Sequence, residues 1–271
     1  MIILVGTVTL VLIGYLVGLG LVYAGRKFAV ESDPRESEVR QALPGNNCGA
    51  CGFAGCDAMA SAIVKGEAPA NGCPVGGKAS AEAISRIMGV DAGETETYTA
   101  FVRCSGSCDV TRMQGNYVGI ADCRSAFLSG LNLTECAYGC IGLGSCAKVC
   151  PQGAIKVNNG VAEVDRRKCV GCGLCIKACP KGMIELIPSG CYVAVKCSSL
   201  EKGAQVRKNC TAGCIGCGLC VKQCQHGAIS VEKNLAHIDY ALCVQCGACV
   251  EKCPAKVITK PIQNPAKAID A

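Results

Sequence analysis

The sequence predicts an α+β protein in which one apolar amino-terminal helix precedes a small helical domain and two tandem copies of a cysteine-rich module. Three observations predict this organisation. Residues 1–25 carry no charged side chain, 26 of the 271 residues are cysteine, and residues 136–179 recur as residues 210–253 at a constant offset of 74. An internal repeat of this kind indicates two copies of one structural unit.

The apolar segment, residues 1–25, has the length of a transmembrane helix. At about 1.5 Å per residue it is roughly 37 Å long, which exceeds a hydrocarbon core of about 30 Å. Arg26 and Lys27 follow directly. A cleaved signal peptide carries its positive charge before the apolar stretch, so we expect an uncleaved anchor. Because basic residues mark the cytoplasmic side, we expect a single-pass protein of the cell membrane whose remaining domains lie in the cytoplasm.

The next segment predicts a small helical domain around four thiols. The loop LPGNNCGACGFAGC and the later Cys73-Pro74 provide Cys48, Cys51, Cys56 and Cys73, and helices are predicted over residues 35–43 and 57–65. Glycines in the loop allow the backbone to curl around the sulfurs with its N–H groups pointing at them. Four thiols on such a loop suit one [4Fe–4S] cluster, with zinc as the alternative.

Each repeated module contains two cysteine arms separated by a predicted β-hairpin. The hairpin strands are predicted at residues 154–157 and 161–165 in the first module, and at 228–231 and 235–239 in the second. The regular arms read C-x2-C-x2-C-x3-C-P, the bacterial ferredoxin pattern for [4Fe–4S] clusters. Disulfide scaffolds show more varied spacings and need an oxidising compartment, and zinc sites usually pair two C-x2-C units across a longer loop.

In the ferredoxin pattern the fourth cysteine of one arm reaches the cluster of the other arm, so each module is predicted to hold two clusters. The predicted complete ligand sets are Cys169, Cys172 and Cys175 with Cys150; Cys243, Cys246 and Cys249 with Cys224; and Cys214, Cys217 and Cys220 with Cys253.

The remaining site of the first module departs from this pattern. Leu143 stands at the position equivalent to Cys217, which leaves Cys140 and Cys146 with Cys179 from the second arm. Two interpretations stay open: Cys136 is the fourth ligand, or the site holds a [3Fe–4S] cluster.

Further cysteines lie outside the arms. Cys104, Cys108, Cys123 and Cys136 are candidates for a sixth cluster, and the sequence around Cys197 resembles that around Cys104. On this interpretation Cys191, Cys197 and Cys210 are an eroded relative of that site. The alternative is that these cysteines are reduced, partly buried thiols. We therefore predict about five clusters, with a sixth left open.

The charge of the chain argues against a nucleic-acid partner. Its formal net charge is +6 with the thiols counted as neutral, whereas each cube with four thiolates adds about −2, so five clusters bring the protein to roughly −4. Basic residues interleaved with aromatic ones are absent. The basic groups at residues 166–168 and 207–208 are either local docking patches for a small acidic electron carrier or ordinary solvated surface.

No motif for an independent catalytic site is present in the sequence, neither a phosphate-binding loop nor a dinucleotide fingerprint. The predicted segments are a transmembrane helix (1–25), a four-cysteine domain (26–90), a cysteine-containing connector (91–135), two ferredoxin-like modules (136–190 and 191–260) and a tail (261–271).

The combination of membrane span, Cys48–Cys73 domain and dicluster modules resembles the B subunit of the Rnf complex, the ion-translocating ferredoxin:NAD+ oxidoreductase, in its long polyferredoxin form. The resemblance implies an electron-transport subunit that accepts electrons from reduced ferredoxin. It would relay them through iron–sulfur clusters to membrane partner subunits that move Na+ or H+ and reduce NAD+. Two alternatives are a membrane-tethered polyferredoxin serving another enzyme, such as a hydrogenase, and a zinc-stabilised interaction protein.

Overall fold

The computed structural model describes residues 2–27, 33–93, 97–115, 117–130 and 133–260. Helix α1 (Ile2–Lys27) contains a segment, Val5–Gly25, that is long and apolar enough to cross a membrane, with a mean hydropathy of 2.2 and no part buried against the described chain. Length and composition alone identify it as a candidate span. The predicted tail, residues 261–271, lies outside the described residues.

Three helices form the domain that follows. Helix α2 (Pro34–Ala42) and helix α3 (Cys56–Val64) each begin and end one residue before their predicted bounds, and helix α4 (Gly77–Met88) was not predicted. The Asp33 side chain accepts a hydrogen bond from the backbone N–H of Arg35 and caps α2, whose first residue is proline. The three helices enclose an apolar core whose most buried members are Val39, Met59, Ile63 and Ile84.

Each module contains the predicted β-hairpin. Strands β2 (Ile155–Asn158) and β3 (Val161–Val164) pair in the first module, and strands β6 (Ile229–Glu232) and β7 (Leu235–Ile238) pair in the second. The loop between the strands has two residues in both hairpins, and all four loop residues have positive φ. Such a loop matches the twist of the flanking strands, which explains the shared register.

A second pair of strands closes each module, and it changes the role of the predicted connector. Strand β1 (Tyr98–Val102), within the connector, pairs antiparallel with strand β4 (Ile184–Pro188) at the end of the first module. Strand β5 (Ala194–Val195) pairs in the same way with strand β8 (Ile258–Thr259) in the second module. The connector is therefore part of the first module, because all five residues of its strand β1 pair with β4.

The remaining helices are short, and most of them contain one cysteine. Helices α7 (Leu174–Ala178), α9 (Leu219–Gln223) and α10 (Ala248–Glu251) each follow a glycine with positive φ inside a cysteine arm. Only glycine adopts this backbone conformation without strain, so it allows the chain to turn sharply between two ligand positions. The other short helices are α5 (Cys123–Leu128), α6 (Ser145–Lys148) and α8 (Gly203–Asn209).

The interiors of the modules consist of cysteines and small apolar residues. In the second module the buried cluster contains Val193, Ile229, Leu235 and Ile258 together with several ligand candidates. The first module is built in the same way around Val102, Ile155, Val161 and Ile184. Because so few large side chains are buried, occupancy of the cysteine sites is expected to stabilise these modules directly.

Candidate metal centres

Five cavities in the described part of the chain are each lined by four cysteines. Their volumes range from about 310 to about 410 Å³. The five sets are Cys48, Cys51, Cys56 and Cys73; Cys123, Cys140, Cys146 and Cys179; Cys104, Cys136, Cys197 and Cys210; Cys214, Cys217, Cys220 and Cys253; and Cys224, Cys243, Cys246 and Cys249.

A sixth set is recognised from the proximity of its thiols. Burial, together with the neighbouring thiols of Cys169 and Cys172, raises the pKa of Cys175 to about 12. Cys150 acts on both Cys172 and Cys175 in the same way. These four residues are the set that the first module was predicted to assemble across its two arms.

The donor sets fit iron–sulfur cubes. Four thiols around a shared cavity provide the four ligands that a [4Fe–4S] cluster needs. A single zinc ion would instead draw four sulfurs to about 2.3 Å from one point. Among the described residues, no three His, Cys, Asp or Glu side chains lie close enough together to hold one metal ion.

The amino-terminal set is held by a glycine-rich loop and the start of a helix. Gly49 and Gly52 have positive φ between the first cysteines, and Asn47 accepts the backbone N–H of Cys56 through its side-chain oxygen at 2.8 Å, at the start of α3. The backbone N–H of Gly76 donates to the sulfur of Cys73 at 3.4 Å. Burial also raises the pKa of Cys73, so a metal-free site holds a neutral thiol that must lose its proton when iron binds.

The structure differs from the prediction at the incomplete site of the first module. Cys123, not Cys136, lies with Cys140, Cys146 and Cys179 around one cavity, so four thiols are present although position 143 is a leucine. Burial raises the pKa of Cys146 to about 11, and the thiol of Cys123 contributes to the rise. Spacing alone did not reveal this residue, because Cys123 precedes the arm by a segment that the second module lacks.

A hydrogen-bond network fixes Cys123 in that position. Its backbone N–H donates to the Ser145 hydroxyl oxygen at 2.7 Å, and the Ser145 hydroxyl donates to the Asp122 carboxylate at 2.6 Å. The same carboxylate accepts the backbone N–H of Ser125 at 2.9 Å and caps α5. These hydrogen bonds also hold the pKa of Asp122 below its usual range.

The cysteines predicted for a sixth cluster are divided differently by the structure. Cys104 and Cys136 share a cavity with Cys197 and Cys210 of the second module, so these four cysteines form one candidate site. Cys108 is exposed and Cys191 is buried, and neither lines any of the five four-cysteine cavities. This arrangement arises because segments that are distant in the sequence pack together, which the spacing of the cysteines along the chain does not reveal.

Comparison with known proteins agrees with these sites. A family model described as "Putative Fe-S cluster" matches residues 43–75, and one described as "4Fe-4S dicluster domain" matches residues 134–183 and 213–257. The chain is 45% identical over 228 residues to the B subunit of the Na+-translocating ferredoxin:NAD+ oxidoreductase complex of Acetobacterium woodii, covering 84% of this chain and 68% of that protein. It is 46% identical over 237 residues to the B subunit of the proton-translocating complex of Clostridium ljungdahlii, covering 87% and 84%. The chain belongs to the family of Rnf complex B subunits.

A third relative supports the same assignment. The chain is 41% identical over 228 residues to the B subunit of the ion-translocating oxidoreductase complex of Methanosarcina acetivorans, covering 84% of this chain and 86% of that protein. The predicted fold class and family are thereby confirmed. As a member of the Rnf family, the chain is an iron–sulfur electron-transfer subunit with multiple clusters, it associates with the membrane, and other subunits of the complex are its partners.

The segments that the two iron–sulfur family models match do not include every cysteine that lines a cavity. Cys104, Cys123, Cys197 and Cys210 all lie outside the three segments that the family models match. The structure therefore adds Cys123 to one site of the first module and brings the other three together at another.

Proposed function

We propose that this chain carries electrons from reduced ferredoxin through its modules to the Cys48–Cys73 site, and from there to the membrane subunits that reduce NAD+. The observation that supports this route most strongly is that thiols of successive sites are neighbours. When bound, iron–sulfur clusters accept and donate single electrons.

The amino-terminal site adjoins the first module. Burial raises the pKa of Cys172, and the thiol of Cys48 contributes to the rise. Within that module, the thiol of Cys146 contributes in the same way to the raised pKa of Cys175. The Cys48–Cys73 site, which follows the membrane helix in the chain, is thus next to the first module and suited to be the exit of the route.

The second module has the same internal contact between its sites. Burial raises the pKa of Cys249 to about 11, and the thiol of Cys220 contributes. Two sites in each module therefore lie side by side, as a relay of single electrons requires.

Backbone groups prepare the two sites of the first module for negative charge. The N–H of Ala100 donates to the Cys169 sulfur at 3.3 Å, and the N–H of Ala154 donates to the Cys150 sulfur at 3.3 Å. The N–H of Met183 donates to the Cys179 sulfur at 3.4 Å. Such bonds stabilise thiolates, fix their orientation and tune the potential of the bound group.

The far end of the second module is suited to accept a soluble donor. Cys246 is exposed, and the adjacent Leu242 and Val244 are 53% and 58% exposed. Lys252 and Lys256 are also exposed near this site in the chain. An exposed apolar patch beside lysines complements a small acidic carrier such as ferredoxin.

The basic patches predicted from sequence are not equally available. The Arg166 guanidinium is used inside the fold, where it donates to the Thr99 hydroxyl at 3.1 Å and to the carbonyl of Ser189 at 3.2 Å. Arg207 and Lys208 are exposed. We propose that the cluster domains lie on the cytoplasmic side, because Arg26 and Lys27 follow the apolar helix and free thiols persist in a reducing compartment.

The route is tested by cutting it at its exit. In the assembled complex, Cys51→Ala should leave ferredoxin-dependent reduction of the carboxyl-terminal clusters intact while NAD+ reduction falls to near background. Cys108→Ala is the matched control, because Cys108 is exposed and lines none of the five four-cysteine cavities. Unchanged NAD+ reduction in the Cys51 variant would defeat the proposal, and a colourless wild-type protein that binds zinc would replace it with the structural alternative.

A further inference from the structure

One of the five cavities joins the two modules, and each module contributes two of its cysteines. Cys104 and Cys136 come from the first module, and Cys197 and Cys210 come from the second. Cys136 and Cys210 are equivalent by the internal repeat, and Cys104 and Cys197 lie in the matching sequences VRCS and VKCS. The cavity is therefore built from equivalent positions of two copies of one unit.

The hydrogen bonds to these sulfurs repeat in the same way. The sulfur of Cys104 accepts the N–H of Gly106 at 3.3 Å and that of Cys140 at 3.5 Å. The sulfur of Cys197 accepts the N–H of Ser199 at 3.5 Å and that of Cys214 at 3.3 Å. Two backbone donors on each sulfur favour thiolates and are typical of the surroundings of a metal centre.

The same contacts connect this cavity to its neighbours. Cys140 lines the adjacent site of the first module, and Cys214 lines the adjacent site of the second. The cavity therefore lies between one candidate site of the first module and one of the second, where an occupant would add a step to the relay.

The cavity is similar in volume to the other four, and the backbone approaches it closely. Its volume of about 380 Å³ lies between those of the sites at Cys214 and Cys123, which are about 350 and about 410 Å³. A Cβ on Gly106 would lie 2.6 Å from the Thr111 hydroxyl oxygen, which itself donates to the Cys210 sulfur at 3.4 Å. Glycine thus allows the backbone to close around the sulfurs.

The surrounding charges complement an anionic group. Arg103 and Lys196 line the cavity together with one carboxylate, Glu201. Arg103 pairs with the Glu185 carboxylate at 3.4 Å, and its Nε is buried without a hydrogen-bond partner among the described residues. A cube with four thiolates carries about −2, which these cations offset.

We propose that Cys104, Cys136, Cys197 and Cys210 hold a sixth [4Fe–4S] cluster that bridges the two modules. The inference rests on the proposed electron-transfer function and adds the step between modules. A zinc ion is the alternative occupant of four thiols. The pairs of N–H donors on the sulfurs and the position between two candidate cluster sites favour the cube.

The first experiment counts metals in the wild-type full-length protein, purified without oxygen. Six cubes predict about 24 irons, equal acid-labile sulfide and no zinc per chain. About 20 irons, with or without one zinc, would overturn the bridging cluster while leaving the electron-transfer function in place. A protein with almost no iron would instead overturn the proposed function itself.

The second experiment locates the cluster with a matched pair of variants. Cys197→Ala should lower the count to between about 20 and about 23 irons, because three ligands hold a three-iron cluster or none. Cys191→Ala removes an equally buried thiol, since both residues are 8% exposed, and should keep about 24 irons. An equal loss in both variants, or no loss in Cys197→Ala, would overturn the assignment. The wild-type count decides the matter if a variant does not fold.

Discussion

In the second module, Cys214, Cys217 and Cys220 come from one continuous arm, whereas the equivalent cavity of the first module takes Cys123 from a preceding segment. Leu143 stands where the regular arm has its middle cysteine. It packs beside Cys123 in a small apolar cluster instead of providing a ligand. The two copies thus present four thiols around similar cavities by different routes.

A second substitution accompanies the first. Ser145, which accepts the N–H of Cys123, is equivalent to Leu219, which is 44% exposed in the second module. The loss of one cysteine, the gain of a serine and the presence of α5 form one structural change. The comparison teaches that two copies of one module can each gather four thiols around a cavity by different routes, provided that another segment supplies both the fourth thiol and the hydrogen bonds that orient it.

The largest expected effect comes from removing the substitute ligand. Cys123→Ala should cost the chain between about one and about four irons, since the site is left with three thiols. Ferredoxin-driven NAD+ reduction by the assembled complex should fall to near background, because the site lies within the relay. Iron analysis and low-temperature EPR of the reduced protein measure the loss, and Cys108→Ala is the control that should change neither.

The regular arm provides a rescue. In the Cys123→Ala background, Leu143→Cys restores the spacing of Cys217 in the second module and should recover the lost iron. Recovery would show that the two copies differ only in the origin of one ligand. If Cys123→Ala alone keeps the full iron count, while Cys136→Ala loses iron from this site, Cys123 is not a ligand and Cys136 is the fourth ligand after all.

The regular features of the fold were predictable from the sequence, and the sites between segments were not. Periodic arms predicted the ligand sets around Cys169 and Cys243, and the two hairpins were expected within one residue of their bounds. The position of Cys123 depends on hydrogen bonds to Ser145, and the bridging cavity depends on packing between modules. Neither feature produces a regular cysteine spacing in the sequence, because the residues involved are separated by long segments of unequal length.

A smaller effect is expected from the network that orients Cys123. Ser145→Ala leaves the backbone N–H of Cys123 without its acceptor in a buried site, which costs about 1–3 kcal/mol. Iron at this site should be released faster to a chelator, while the other sites release theirs at the wild-type rate. Ser230→Ala, in an exposed strand position of the second module, is the control. Equal release from Ser145→Ala and wild type would show that the network does not support the ligand.

The smallest expected effect lies in the hairpin turns, where the same backbone carries different residues. Asn159 in the first module and Lys233 in the second both have φ of 46°. Asparagine tolerates this left-handed conformation better than lysine, so Lys233→Asn should raise the free energy of unfolding by a few tenths to about 1 kcal/mol. Thermal unfolding of the anaerobic protein measures it. Lys252→Asn, at a φ of −86°, should bring no gain, and an equal gain there would attribute the effect to charge instead of backbone conformation.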